Sequence, residues 1–376
     1  MFNYIKDFFR LKISDDRIFG LDLLRAIAVI TVVFEHSVGI IPAEISSFII
    51  KYLYYDGVTI FFVLSGFLIG GILIKVVNQN GFSRRTLFNF WIRRWFRTLP
   101  NYFLFVFILA ILSKLFIPGF PLRVVPQYLL FLQNVLTVSP GFFGESWSLS
   151  VEEWFYCCIP LFIFTLLKIT SFHFKNILLL TAILVFCFSV LNRFLVYYYG
   201  FPEQIGDYRR VVIMRLDSIM LGVIASLIKY YYVSFWSRNT IISSIIGITL
   251  IFIWKITHNQ YGIFTFYYAN LYFLLIGFGI VFLLPLLNRF TIEKYTIIST
   301  GITYISLISY SLYLIHFSLV KKLLIDNIFS DYFKNIPVFQ ITIKYTFYWI
   351  FSLLGAFIIY KYFEVPMIKL RDKIKI

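Results

Sequence analysis

The sequence predicts an all-α polytopic membrane protein, and three observations carry that prediction. Sixty per cent of the 376 residues are apolar, mean hydropathy is +0.85, and only 14% are charged, a balance foreign to a soluble domain of this length. The apolar residues gather in stretches near the roughly 20 residues that a helix needs to cross a bilayer. The alternating segments of about 10 residues that barrel strands would show are missing.

About ten such stretches occur, at 20–41, 54–77, 99–117, 147–167, 176–199, 212–233, 239–257, 267–288, 303–325 and 341–363. A shorter apolar segment, 124–138, holds Pro126, Gln127, Gln133 and Asn134, and its length and polarity suit a re-entrant or interfacial helix rather than a crossing. Lys and Arg collect on the cytoplasmic side of membrane proteins. With the amino terminus inside, 21 of the 34 Lys and Arg residues fall in inner segments and 12 in outer ones, leaving Arg25 within a span. The expected layout is one transmembrane domain over 1–376 in the cell (inner or plasma) membrane, with a cytoplasmic segment at 1–19 and a cytoplasmic basic tail at 364–376. The first 17 residues have neither the core nor the cleavage site of a signal peptide, so the first span is expected to act as an uncleaved anchor. A net charge of +16 spread over short loops reflects insertion topology and anionic headgroups, so membrane lipids are the expected partners and nucleic acid is not. Cys157, Cys158 and Cys187 all fall in predicted spans and indicate neither a disulfide framework nor a metal site.

In the first span, GLDLLRAIAVITVVFEHS at 20–37, Arg25 and His36 are eleven residues apart. At about 100° and 1.5 Å per residue they share one helix face, roughly 16 Å apart along the axis. Charges at membrane depth normally face a bundle interior or a wet cavity and mark a site or pathway. The alternative is that Arg25 pairs with Asp22 at i, i+3 while His36 packs against a neighbouring helix. Glu35, turned about 100° from His36, does not share that face. In the second span, FFVLSGFLIGG at 61–71 sets Ser65 among Gly66, Gly70 and Gly71. Close helix packing accounts for this serine better than a nucleophile does, since no strained G-x-S-x-G elbow surrounds it. Asp56, just ahead of the span, reads as an exposed loop acid or an acceptor-side contact.

Before the third span, WIRRWFRTLP at 91–100 spaces Arg93, Arg94 and Arg97 so that one helical turn presents a guanidinium cluster, and Pro100 fits the first turn of the span that follows. Guanidinium forks suit phosphate oxygens. An inner-leaflet anchor, the role read for Arg84 and Arg85, would use the same residue type. WSLSVEEWFY at 147–156 puts Glu152 and Glu153 near the outer end of the fourth span, either at the interface or turned inward to orient a histidine or a hydroxyl. Arg215 and Asp217 are expected to pair near the outer end of the sixth. YSLYLIH at 310–316 adds Tyr310, Tyr313 and His316 to the ninth, His316 reading equally as a site residue or as a packing histidine. FEVP at 363–366 sets Glu364 at the inner end of the tenth.

Taken in this order, the segments resemble the acyltransferase family 3 membrane proteins, which O-acylate extracytoplasmic glycans and related acceptors. Arg25, ten further residues and His36 are similar to that family's Arg/Lys-x10-His signature. FFVLSGFLI, RRWFRTLP with its Arg-x-x-Arg element, WSLSVEEWFY, RLDSIMLG at 215–222, YSLYLIH and FEVP follow across most of the chain. The resemblance implies a membrane O-acyltransferase whose co-substrate is cytosolic acyl-CoA, acetyl-CoA by preference, with no tightly bound cofactor. The implied acceptor is a hydroxyl of a cell-surface glycan or its lipid-linked precursor. Arg25, Arg94 and Arg97 would hold the nucleotide phosphates, with the pantetheine arm along the pore. His36 would deprotonate the acceptor or carry the acyl group itself, direct attack being favoured because it needs one transfer. Glu152 is the acid that matches the family's. Asp56, Ser65, Arg215, Asp217, Tyr313 and His316 stand as acceptor-side or supporting candidates, and no metal ligand is expected. A hydrolase-like extracytoplasmic domain, carried by some members, is not expected here. The rival reading is a transporter with Arg25, Glu35 and His36 as a relay, which predicts a repeat symmetry that the sequence lacks.

Overall fold

A computed structural model of the chain describes residues 11, 13, 14, 16–139, 141–200, 208–258, 265–292, 294–328 and 337–373. Among them are helices α1 (Phe19–Ser37), α2 (Ala43–Leu53), α3 (Gly57–Asn80), α4 (Arg84–Phe116), α5 (Val125–Leu129), α6 (Ser146–Ile169) and α7 (Phe174–Tyr198). Then come α8 (Leu216–Tyr231), α9 (Val233–Arg238), α10 (Thr240–His258), α11 (Tyr272–Arg289), α12 (Ile297–Ile315), α13 (Pro337–Ile359) and α14 (Val365–Arg371). Wider π turns precede α11 at Tyr267–Leu271, continue α12 over His316–Ile328 and continue α13 over Tyr360–Glu364.

Nine helices among the described residues are long and apolar enough to cross a membrane, which makes the fold an all-α polytopic one. They coincide with nine of the ten expected stretches. The sixth, 212–233, is α8, 16 residues lengthened at its start by 3-10 turns at Tyr208–Arg210 and Val212–Met214. Sixteen residues rise about 24 Å, less than a hydrocarbon core of about 30 Å. Protein rather than lipid surrounds much of it, for Ser218, Ile219 and Ala225 are fully buried. Its backbone touches that of α3: a Cβ on Gly66 would lie 1.9 Å from the carbonyl oxygen of Ile219, and one on Gly222 would lie 2.1 Å from that of Val63. Gly66 and Gly70 are thus close-packing positions, whereas Gly71 faces open space.

Segment 124–138 does not cross. The five residues of α5 are followed, among the described residues, by irregular chain up to α6, with its amides turned into the protein. Gln133 donates to Ser150 Oγ (2.5 Å), and Asn134 donates to the carbonyls of Trp147 (2.9 Å) and Arg210 (2.7 Å). Helix direction agrees. Ser306 donates to Asp22 (2.8 Å) and, further along both helices, His316 meets His36 (2.8 Å), so α1 and α12 run parallel. Parallel α1 and α12 require one of α8 and 124–138 to cross, and with 124–138 folded into the protein that one is α8.

Four expectations are corrected. The third span does not start near Pro100: α4 begins at Arg84, where Ser83 and Thr86 form a capping box, and Pro100 lies inside the helix. Burial of Leu87 and Phe90 extends it, and tertiary packing tolerates the missing N–H of the proline. Asp56 is not an exposed loop acid; it is buried and caps α3, accepting from the Thr59 N–H (3.0 Å) and O–H (2.8 Å), which satisfies a first-turn amide. Arg25 is not the one cation within a span. Arg193, inside α7, is fully buried, donates to the carbonyls of Ala269 (2.7 Å) and Met214, and forms an ion pair with Asp217 (2.7 Å). Asp217 therefore takes its ion pair from Arg193, and Arg215 instead donates to Thr59 Oγ1 (2.8 Å) with its guanidinium 3.8 Å from the Phe273 ring centre.

Candidate active site

A cavity of about 250 Å³ lies between α1, α3, α4, α6 and α12. Along α3 its wall runs from Val58 through Phe61, Ser65 and Ile69 to Ile72, one helical face whose ends are roughly 21 Å apart at 1.5 Å per residue. Arg25, Arg94, Arg97, Ser65, Glu152 and Tyr313 all line it, so the structure brings together residues from five helices that the sequence placed in separate motifs. Arg93 is exposed and is not part of the lining.

The cavity carries three guanidinium groups against one carboxylate. Arg25 makes only a long i, i+3 ion pair with Asp22. Its Nη1 stays 3.9 Å from that carboxylate, beyond hydrogen-bond range, because Arg17 grips both Asp22 oxygens, one at 2.7 Å from Nε and the other through Nη2, and Ser306 adds a third donor. Arg94 has its Nε buried with no hydrogen-bond partner among the described residues. A buried cationic donor without an acceptor is costly, and an anion in the cavity would satisfy it. Arg97 is electrostatically close to both other arginines.

Glu152 accepts a hydrogen bond from the Tyr156 hydroxyl (2.9 Å), one helical turn along α6, and the Tyr156 oxygen lies 2.8 Å from Ser65 Oγ. With the tyrosine proton directed to the carboxylate, Ser65 donates to Tyr156. Ser65 is thus a lining hydroxyl while its neighbour Gly66 does the packing. Glu153 leaves the cavity to accept from Thr98 (2.7 Å), and Glu364 accepts from Ser311 (2.6 Å) and Asn101 (3.0 Å). Tyr156 was recoverable from its i+4 spacing to Glu152, which puts both on one face.

Beyond Tyr313 lies a histidine pair. Nδ1 of His36 is 2.8 Å from Nε2 of His316, and the His36 ring stacks on Phe317 with centroids 4.1 Å apart. Nδ1 of His316 faces the carbonyl oxygens of Tyr313 (2.8 Å) and Leu312 (3.1 Å). Carbonyls only accept, so that nitrogen carries the proton and the neutral ring leaves Nε2 as an acceptor. His36 must then donate from Nδ1, and its Nε2 keeps a lone pair. This hydrogen-bond pattern assigns the tautomers and makes His36 Nε2 a base held in orientation by His316. The orienting place considered for Glu152 is filled by His316, while Glu152 belongs with the arginines. Glu35 turns to Arg209 (3.0 Å), as its position around the helix implied. Tyr313 joins the two regions: it lines the cavity, and its ring centre is 5.8 Å from that of His316. Asp56, Arg215 and Asp217 do not line the cavity; they form the buried network at the start of α3 and α8.

The chain matches the model of a family described as an acyltransferase domain over residues 18–361. A protein of Staphylococcus aureus (strain COL), named as a candidate O-acetyltransferase, is 26% identical over 384 aligned positions that cover 93% of this chain and 57% of the relative. The peptidoglycan O-acetyltransferase OatA of Listeria monocytogenes is 31% identical over 163 positions, 40% of this chain and 24% of that protein. The chain thus spans little more than half the length of the first relative and less of the second. No solved structure matches.

Proposed function

The chain belongs to this acyltransferase family, and from that premise we propose that it is a multi-pass membrane O-acetyltransferase using cytosolic acetyl-CoA to acetylate a hydroxyl of an extracytoplasmic glycan or lipid-linked glycan precursor. One observation carries the reading: an arginine-lined cavity runs along α3 and is bordered by Tyr313, 5.8 Å ring to ring from His316 of a histidine pair that lies outside the lining and whose tautomers leave a free base. Arg25, Arg94 and Arg97 bind the phosphates of the donor at the cytoplasmic end. The pantetheine arm follows the α3 face, with Ser65, Tyr156 and Glu152 offering it hydrogen bonds. Its thioester arrives near Tyr313.

A sugar hydroxyl is a weak nucleophile at neutral pH and needs a base. His36 Nε2 takes the hydroxyl proton as the oxygen attacks the thioester carbonyl. The carbon–sulfur bond then breaks, and the imidazolium returns the proton to the departing CoA thiolate. His316 holds His36 in the productive tautomer, as the acidic member of a hydrolase triad does for its histidine. Both termini lie in the cytoplasm in this reading, which the uneven spread of Lys and Arg supports.

The test is transfer of labelled acetyl groups from acetyl-CoA to envelope glycans by membranes with and without the protein, together with acetyl-CoA binding by the purified protein. Equal O-acetyl content of the glycans in both strains and no donor binding would overturn the proposal.

A further inference from the structure

Glu145 sits one residue ahead of α6 in the loop sequence GFFGE and is 1% exposed. It lies outside the cavity, and while its carbonyl also accepts from Ser148 of α6 (3.4 Å), both side-chain oxygens are directed at the helix that carries His316. Oε1 accepts the Ser318 N–H at 3.0 Å, and Oε2 accepts the Ser318 hydroxyl. The backbone carbonyl of Glu145 accepts the Tyr313 hydroxyl at 3.1 Å. The N–H of Gly144 donates to Ser318 Oγ at 3.0 Å, and a Cβ at Gly144 would lie 2.7 Å from the Phe317 ring, so a side chain there would have to push that ring aside.

The grip falls where α12 changes geometry. The helix turns from α to π at His316, and such widened turns are rare and occur frequently at functional sites. His316, Phe317 and Ser318 are consecutive: the first bonds His36, the second stacks on it, and the third is held by Glu145.

We propose that Glu145 is a positioning residue for the histidine pair, fixing the first π turn through Ser318 so that His316 and Phe317 hold His36 in one tautomer and orientation. The kinetic part rests on the acetyltransferase reading above; the structural part does not. Misplacing a reacting group by about 1 Å costs on the order of 100-fold. Glu145→Ala should therefore lower kcat by about 10- to 100-fold, with KM for acetyl-CoA within about twofold because the arginines are untouched. Glu145→Gln keeps an acceptor for the Ser318 N–H and should restore most of the rate.

Two measurements on the purified full chain decide it. In a His316→Ala background, Glu145→Ala should cause a clearly smaller loss of kcat than in the wild type, since the part of its effect that passes through His316 is already gone and only the Phe317 part remains; an equal loss in both backgrounds overturns the proposal. The chain has four histidines, His36, His173, His258 and His316, so nitrogen NMR with labelled histidine can read the tautomers directly. Glu145→Ala should convert the His36 and His316 signals from single Nδ1-protonated tautomers to mixtures, and Glu145→Gln should not. Unchanged tautomers in Glu145→Ala overturn the proposal whether or not the protein transfers acetyl groups, so a wild-type protein without activity would defeat the functional reading alone.

Discussion

Arg17, not Arg25, holds the Asp22 carboxylate, although Arg25 stands three residues from Asp22 on the same helix. The contact leaves the Arg25 guanidinium for the cavity. Removing Arg17 frees Asp22 to close the 3.9 Å gap and neutralise Arg25. Arg17→Ala should raise KM for acetyl-CoA by roughly 10-fold, the equivalent of one charge-assisted contact of about 1.5 kcal/mol, with kcat little changed. Adding Asp22→Asn removes the competitor and should restore much of the affinity. Donor affinity no better in the double variant than in Arg17→Ala would show that Arg17 acts in some other way.

Arg94 and Arg97 differ in surroundings, and that ranks their variants. Arg94 has a buried, unsatisfied Nε, whereas Arg97 is exposed at the cavity edge. Solvent screens an exposed charge. Arg94→Ala should weaken acetyl-CoA binding by about 1.5 to 3 kcal/mol and Arg97→Ala by less, and lysine at 94 should recover only part, for lack of the planar fork. Titration calorimetry of the folded variants checks both; an unchanged dissociation constant for Arg94→Ala would return the cluster to a lipid-anchoring role.

Hydropathy made nine of the ten stretches legible in the sequence, and helical spacing made the Arg94–Arg97 pair legible, whereas the place of Glu152 among the arginines was not, since the sequence set it beside a histidine. Each of the legible features depends on spacing along one helix or on a local run of residues. What was not legible depends on partners distant in sequence. Asp217 has Arg215 two residues away, yet it pairs with Arg193 on another helix. Asp56 looked like a loop acid because a sequence does not show which loop starts are packed over. The π turn at His316 is held by Glu145, 173 positions from the serine it grips. Periodicity says which residues share a face; it does not say what that face meets.

Glu145 also gives a pH dependence. Burial pushes its carboxyl up from 4.5 to about 7, with the Ser318 bonds and the Lys322 charge opposing the rise. Between those values the folded protein holds a proton that the unfolded chain has released. Stability from this group is therefore greatest below pH 4.5 and falls as pH rises through 7, by up to about 3 kcal/mol at 1.36 kcal/mol per unit. The unfolding temperature of the wild type in detergent should drop more between pH 5 and pH 7.5 than that of Glu145→Gln, at about those pH values. Parallel curves would show that this carboxyl titrates normally.

The last prediction separates two ways in which His36 can work. His36→Ala should insert and bind donor normally, since the arginines lie in the cavity and not at the pair, yet lose acetyl transfer by at least about 100-fold, the lower range for a positioned base. His316→Ala should lose less, because His36 survives but samples both tautomers, and its loss should shrink where proton transfer no longer limits the rate. If the His36 lone pair removes the acceptor proton, enzyme incubated with labelled acetyl-CoA and no acceptor stays unlabelled. If the same lone pair attacks the thioester, Nε2 becomes acetylated and CoA is released in an amount equal to enzyme before any acceptor is added. The free Nε2 permits both routes, and the burst of CoA distinguishes them. A folded His36→Ala protein that acetylates its acceptor at the wild-type rate would eliminate both and leave the pair, with its Phe317 stack, as a packing contact between α1 and α12.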